Sequence, residues 1–212
     1  MSNLRVHISV SADGYVAGPN QSKENPLGEE GERLHDWVVA LRAWRAPHGL
    51  EGGEVNASDA VVEEARANIG AEIMGRGKFG GGPGPWSEEP WLGWWGDDPP
   101  FHMPVFVLTH HAREPLTLSN TTFTFVTDGI DAALEQARAA AGGKDVLIGG
   151  GADVVNQYLA VGHVDELELH VVPLVLGAGA RLFDGIGPGL PLEQVRVVEA
   201  PGVTHLKYRV VK

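Results

Sequence analysis

The sequence contains no cysteine at any of its 212 positions. This absence excludes a disulfide framework, a cysteine-ligated zinc or iron–sulfur site and a thiol nucleophile. It is also typical of proteins from a reducing compartment. Since no export signal is recognisable either, we expect a cytoplasmic protein.

Long apolar runs and an excess of basic residues are also missing. No stretch reaches the ~18 apolar residues that a membrane span requires. The 16 basic residues are outnumbered by 28 acidic ones, which gives a net charge of −12. We therefore expect neither a membrane nor a nucleic-acid partner. A small phosphate-bearing ligand stays possible, because backbone N–H groups and a local basic patch can bind it.

The elements that are present alternate along the chain. Alternating apolar residues in Arg5–Ser11 predict a first strand, and apolar residues at three- and four-residue steps from Leu34 to Trp44 predict an amphipathic helix. Ser58 is expected to cap a second helix that runs past Ile69 to a C-terminal Gly70. Further strands are predicted over 71–74, 105–108, 122–126, 145–148, 166–172, 194–200 and 204–211, and further helices over 130–141 (capped by Asp128) and 152–160.

This order of elements predicts the fold class. Strand–helix–strand units form parallel sheets covered by helices on both faces. We therefore expect an α/β fold with three layers (α-β-α), a mixed but mostly parallel sheet of about eight strands, and a C-terminal antiparallel hairpin around Pro201-Gly202. All of 1–212 is expected to form one domain. Residues 77–104 are rich in glycine, proline and tryptophan and are expected to form a long loop.

A glycine turn follows the predicted strand 145–148. Three glycines without side chains at the start of a helix let backbone N–H groups approach a diphosphate, and the helix adds its positive end. The alternative is a tight turn with no ligand. The spacing is not the G-x-G-x-x-G of a Rossmann fold. The expected diphosphate contacts are Gly149, Gly150, Gly151, Ala152 and Asp153.

Two further strand ends carry cations or imidazoles. A guanidinium, a hydroxyl and imidazoles together suit the 2′-phosphate that distinguishes NADPH. Alternatively, these groups are solvated surface residues. The adjacent His110 and His111 point to opposite faces of an extended chain and lack a spaced partner, so we expect no metal site. The expected cofactor contacts are Gly75, Arg76, Gly77, Lys78, Thr109 and His110.

In sequence, the chain resembles the dihydrofolate reductase-like superfamily, in the branch that includes the reductase domain of the bifunctional riboflavin-biosynthesis deaminase–reductases. The order and spacing of several segments carry the resemblance. These segments are 8–17, 73–76, 105–109, 148–151, 164–167 and 173–177.

The resemblance implies a reductase that binds NADPH at the glycine turn and at the two cationic loops. It places the turn after the first strand, with Asp13, beside the nicotinamide and the substrate. The alternative is that Asp13-Gly14 is ordinary turn chemistry. Trp37 and Phe79 are further candidates for substrate contact. It also implies a homodimer.

For catalysis, the resemblance implies a carboxylate on the first helix. Asp36 is the candidate, and Glu32 lies one turn earlier. The alternative is an exposed acid on the polar side of that helix. Riboflavin-pathway reductases generally carry a glutamate where this chain reads Ile148-Gly149, so a phosphoribosyl-aminopyrimidine substrate is not implied.

The resulting hypothesis is an NADPH-dependent reductase that transfers a hydride to a small heteroaromatic or carbonyl substrate. A protein of the same fold that binds a nucleotide or small molecule without turnover is the alternative. A flavin- or deazaflavin-dependent reductase is a third, because a phosphate-binding turn does not identify the ring attached to the phosphate.

Overall fold

A computed structural model describes residues 2–87 and 91–212. The strands are β1 (Leu4–Ser11), β2 (Tyr15–Ala17), β3 (Ile69–Gly75), β4 (Pro104–Leu108), β5 (Leu116–Leu118), β6 (Thr121–Val126), β7 (Asp145–Ile148), β8 (Glu166–Val172), β9 (Ala180–Arg181), β10 (Leu192–Ala200) and β11 (Val203–Val210). The α-helices are α1 (Asp36–Val39), α2 (Arg42–Arg45), α3 (Ala57–Arg66), α4 (Arg76–Phe79), α5 (Gly129–Ala140) and α6 (Ala152–Ala160). Short 3-10 helices span Gly31–His35 and Ala46–His48.

Nine strands form one sheet in the order β10-β11-β8-β1-β7-β3-β4-β6-β5. The six from β8 to β6 are parallel, whereas β10, β11 and β5 are antiparallel to their neighbours. Strands β2 and β9 form a separate antiparallel pair. The predicted mixed, mostly parallel sheet with a C-terminal hairpin is confirmed.

The two faces of the sheet differ in polarity because side chains alternate along each strand. On one face, Val6 and Val10 of β1 join a large apolar core that also contains residues of α5 and α6. On the other face, Arg5 of β1 donates from Nη1 to the carbonyl of Ala67, just after α3. A buried polar layer thus lies between the sheet and α3.

The predicted first helix is broken into short pieces. At Leu41 the backbone is extended (φ −77°, ψ 144°) and the side chain is fully buried. The Arg42 N–H donates to the carbonyl of Glu54, and the Glu54 N–H donates to the carbonyl of Ala40. This bridge to a later loop replaces the helical hydrogen bonds, so the prediction of one continuous helix was wrong.

The second helix also differs from its prediction. It ends at Arg66, because Asn68 adopts a left-handed conformation (φ 61°) and Ile69 already belongs to β3. Asn56, rather than Ser58, is the N-cap, and its side chain accepts a hydrogen bond from the Ser58 N–H. At the start of α5, Asp128 holds the N-cap position but makes no capping hydrogen bond.

Several aromatic residues of the predicted loop 77–104 pack as a cluster. Phe79 is fully buried and contacts Phe123 and Phe125 of β6 edge to face, at centroid distances of 5.1 and 5.2 Å. Trp86 and Trp95 also pack against this cluster. Residues 88–90 of the loop lie outside the described residues. None of the helices that the structure describes is long and apolar enough to cross a membrane.

Candidate functional site

A cleft of ≈ 1390 Å³ opens at the carboxyl ends of the central strands. The residues that follow β3, β4 and β7 line it together with the first turn of α6. In open α/β sheets, this end of the sheet is where ligands bind.

The glycine turn forms one wall of the cleft and is fixed to the neighbouring strand. The Gly75 N–H donates to the carbonyl of Gly150 at 2.9 Å, and the Gly149 N–H donates to the carbonyl of Ile73 at 2.9 Å. Gly150 has a φ of +98°, which favours glycine, and the Gly150–Gly151 peptide bond is cis. A Cβ on Gly75 would lie 2.9 Å from Val154 Cγ2, so close packing of α6 on β3 requires glycine there.

Beyond this turn, the start of α6 offers free backbone donors. Gly151 is its N-cap and provides no side-chain cap, and a Cβ on Gly151 would meet nothing within 4 Å. Ala152 and Asp153 of the first turn also line the cleft. An anion can therefore approach these N–H groups directly, since the first N–H groups of a helix lack intrahelical partners.

Arg76 lies at another wall of the cleft, and only some of its guanidinium nitrogens make hydrogen bonds. Its Nη1 donates to the carbonyl of Gly84 at 2.5 Å, and its guanidinium lies 3.8 Å from the centre of the Trp86 ring. Its Nε and Nη2 are buried without a hydrogen-bond partner in the described part of the chain. Burial, followed by the nearby Arg113, lowers the pKa of Arg76. Within residues 2–87 and 91–212, no carboxylate pairs with either arginine.

Thr109 and His110 come from the strand end next to Arg76. Gly75 of β3 pairs with Leu108 of β4, so the residues that follow these two strands are neighbours. The Thr109 N–H donates to the carbonyl of Val126, which holds this strand end in place. Both Thr109 and His110 line the cleft, as Gly77 does. The structure thus brings the two predicted cationic loops to one cleft.

Lys78 lies apart from Arg76, although both belong to α4. Its Nζ donates to Glu72 Oε1 at 2.9 Å, and this ion pair packs against Gly149. Lys78 still lines the same cleft as Arg76, so its contact with the adenosine phosphate stays a prediction. The two side chains leave the short helix in different directions.

The polar face of the sheet supplies another part of the cleft. Trp37 donates from Nε1 to Ser9 Oγ at 3.2 Å and lies 5.0 Å from the His170 ring. Burial, followed by the charge of Arg5, lowers the pKa of His7 to about 3. Burial also lowers the pKa of His170 well below its usual value. Both imidazoles are therefore neutral near neutral pH, and each can donate or accept a hydrogen bond.

Flat aromatic rings line the cleft as well. Trp44 stacks on His48 with ring centres 3.9 Å apart and an angle of 18° between the planes. Trp94 and Trp95 from the long loop contribute further rings. Such rings offer large apolar contact surfaces, with stacking as an additional interaction. The arrangement suits a planar ligand.

Three predicted site residues lie elsewhere. Asp13 accepts hydrogen bonds from Ser11 Oγ and from the N–H groups of Leu176 and Gly177, and the Ser11 bond is the main cause that lowers its pKa to about 2. It anchors a loop and does not line the cleft. Asp36 is exposed and borders a separate depression of ≈ 350 Å³. Phe79 is buried in the aromatic cluster.

Several residues of the cleft were missed from the sequence. They are polar or aromatic residues: His7, Ser9, His35, Trp44, Arg66 and His170. The signal was present for β1 and β8, whose alternation places Arg5, His7 and Ser9 opposite the apolar residues. Trp44 was counted in the apolar pattern of the predicted first helix, and no local pattern indicated His35; both lie on the helical segment that is broken in the structure.

The nine-stranded mixed sheet with a cleft at its strand ends has a dihydrofolate reductase-like α/β fold. A putative riboflavin biosynthesis protein from Shewanella sp. PV-4 has a similar structure, with a TM-score of 0.62, 19% identity and full coverage of both chains. Dihydrofolate reductase from Enterococcus faecalis, solved with NADP(H), matches with a TM-score of 0.53 and 13% identity over 99% of this chain and 97% of that one.

The chain belongs to the RibD C-terminal domain family, which matches residues 3–206. Uncharacterized protein YyaP from Bacillus subtilis (strain 168) is 34% identical over 67 residues, which are 31% of this chain and 36% of YyaP. The matched segment therefore spans about a third of that relative. Family membership supports a reductase-type function.

Proposed function

We propose that the protein is an NADPH-dependent reductase acting on a small planar heteroaromatic or carbonyl substrate. The observation that carries the proposal is Arg76, whose Nε and Nη2 are buried in the cleft wall with no partner among the described residues. Leaving two buried N–H-bearing nitrogens of a guanidinium without acceptors is costly unless an anion binds them. The glycine turn of the same cleft offers a second anion site.

The residues of the cleft fit a dinucleotide phosphate. The N–H groups from Gly149 to Asp153 would hold the diphosphate. Arg76, with Thr109 and His110, would hold the 2′-phosphate, because a guanidinium binds phosphate oxygens through paired hydrogen bonds. When bound, the nicotinamide ring would supply the hydride.

The remaining cleft residues would bind and orient the substrate. Trp37, Trp44 and Trp95 offer flat apolar surfaces that exclude water from a planar ring. Neutral His7 and His170 can hydrogen-bond to heteroatoms without favouring a charged ligand. Holding the ring in one orientation is itself a large contribution to rate.

The proposal is tested by following the absorbance of the reduced nicotinamide with a panel of pterins, aminopyrimidines and quinonoid carbonyls. We expect oxidation of NADPH with at least one class, and slower oxidation by Trp44→Ala. Binding of NADPH without oxidation by any member would favour the alternative, a binding protein without turnover. The position of Asp36 outside the cleft favours that alternative, because the carboxylate predicted to protonate the substrate is absent there.

A homodimer is part of the proposal. Val197 of β10 is 50% exposed and pairs with Leu206 of β11, so both lie on the same face of the sheet edge. An apolar face at a sheet edge is suited to a second copy of the same chain. Analytical ultracentrifugation should show a dimer that Val197→Lys dissociates. A wild-type protein that sediments only as a monomer would contradict this.

A further inference from the structure

Lys78 in the cleft forms an ion pair with Glu72, which lies beneath the surface of the cleft. Lys78 Nζ lies 2.9 Å from Glu72 Oε1, and the lysine side chain is 32% exposed whereas the glutamate is 6% exposed. Lys78 lines the cleft. The carboxylate thus holds an ammonium at the surface of the cleft without itself facing a ligand.

Gly149, the first residue of the glycine turn, leaves room for this ion pair because it has no side chain. A Cβ on Gly149 would overlap Glu72 Oε1 and would lie 2.5 Å from Lys78 Nζ. On its other side, Lys78 is close enough to His35 to lower the pKa of that imidazole, after burial as the main cause. The ammonium therefore lies beside the glycine turn, in the cleft that His35 also lines.

Two buried histidines and two arginines of the cleft are poor proton donors. Burial lowers the pKa of His7 and of His170, so these imidazoles carry no extra proton near neutral pH. The guanidinium groups of Arg66 and Arg76 do not give up a proton in proteins. Among the described lining residues, Lys78 is the one lysine.

We infer that Lys78, held by Glu72, stabilises the negative charge that develops on a substrate oxygen or nitrogen and gives that atom its proton. The inference rests on the proposed function, since the reductant is a reduced nicotinamide dinucleotide. As the substrate carbon gains a hydride, the electron pair of its C=O or C=N bond moves to the heteroatom. The Lys78 N–H bond breaks and an O–H or N–H bond forms. Water then returns a proton to the amine.

A flat aromatic oxyanion tests this directly. The probe is 4-nitrophenol, whose ionised form is coloured, so that absorbance reports both binding and the protonation of the bound probe. We expect the wild-type protein to bind the ionised form, and Lys78→Met to weaken this binding by about tenfold or more, since a charge-assisted hydrogen bond is lost. The control is Lys144→Met, an exposed lysine outside the cleft lining that makes the same change in net charge.

A substitution of Glu72 provides a second test, in which absorbance measures how much of the bound probe is ionised. Glu72→Gln keeps an acceptor for Lys78 but removes a negative charge near the probe, so the bound probe should be more ionised than in the wild type at the same pH. Because Lys78→Met leaves Glu72 buried without its counter-ion, the double variant Lys78→Met/Glu72→Gln provides a neutral site if the single variant does not fold. It should bind the probe as the neutral phenol.

The outcomes separate this inference from the proposed function. Equal binding of the ionised probe by the wild type and by the double variant would overturn the role of Lys78, and so would no binding by the folded wild type. Less ionised probe in Glu72→Gln would overturn the role of Glu72. The affinity for NADPH, measured from tryptophan fluorescence in the same samples, tests the proposed function by itself.

Discussion

A side chain on Gly149 would displace Glu72, because the Cβ of that side chain would overlap Glu72 Oε1. The first glycine of the turn is therefore favoured by packing within the protein itself, without a ligand. The third glycine is different, since a Cβ on Gly151 would meet nothing within 4 Å. The three glycines look alike in the sequence, but they occupy their positions for different physical reasons.

Alanine substitutions separate these reasons. Gly149→Ala should destabilise the protein by about 1–3 kcal/mol, because overpacking displaces a buried ion pair. Gly151→Ala should change the free energy of unfolding by less than about 0.5 kcal/mol. Urea unfolding of the two variants measures both values. Equal stabilities would show that Glu72 does not fill this position.

Arg76 should give the protein a higher affinity for NADPH than for NADH. Arg76→Met removes the guanidinium, so the affinity for NADPH should fall by about tenfold to a hundredfold, the value of one to two charge-assisted hydrogen bonds. NADH lacks the 2′-phosphate, and its affinity should hardly change. Titration calorimetry with both dinucleotides gives the ratio of the two affinities in the wild type and in the variant. The exposed Arg138→Met is the matched control, and a parallel loss of NADH affinity would refute the assignment.

The buried His7 should make stability depend on pH. Its pKa is about 3 in the folded protein and 6.5 in the unfolded chain, so only the unfolded chain takes up the proton between these values. The free energy of unfolding should therefore fall as pH drops below 6.5, by about 1.4 kcal/mol per pH unit for this group.

His7→Gln measures that contribution. Between pH 6.5 and pH 5, urea unfolding should show a loss of stability that is about 2 kcal/mol smaller in the variant than in the wild type. The exposed His110→Gln should follow the wild type. An unchanged pH slope in His7→Gln would mean that this imidazole is already protonated in the folded protein.

The sequence predicted the sheet well because period-two alternation and turn residues are local signals. Strands β7 and β8 and helix α6 have the predicted bounds. The break at Leu41 could not be predicted, since it depends on hydrogen bonds to Glu54, thirteen residues away. The short strands β2, β5 and β9 were too brief to carry a pattern.

The site was predictable only in part, for a similar reason. Glycines at a strand end identify a turn from local sequence, and the turn does line the cleft. The partner of Lys78, by contrast, is set by the packing of α4 on β3, and the positions of Asp13 and Asp36 depend on how distant loops fold back. These are tertiary effects that no short window of sequence contains.

The central claim is that the glycine turn and the start of α6 bind the phosphates of NADPH. Titration calorimetry of NADPH with the wild type and with Gly151→Leu, whose side chain would project into the open cleft, tests it most directly, with urea unfolding to confirm that the variant is intact. We predict micromolar or tighter binding by the wild type and an affinity at least about tenfold weaker in the variant. Equal affinities, or no binding by the folded wild type, would contradict the account.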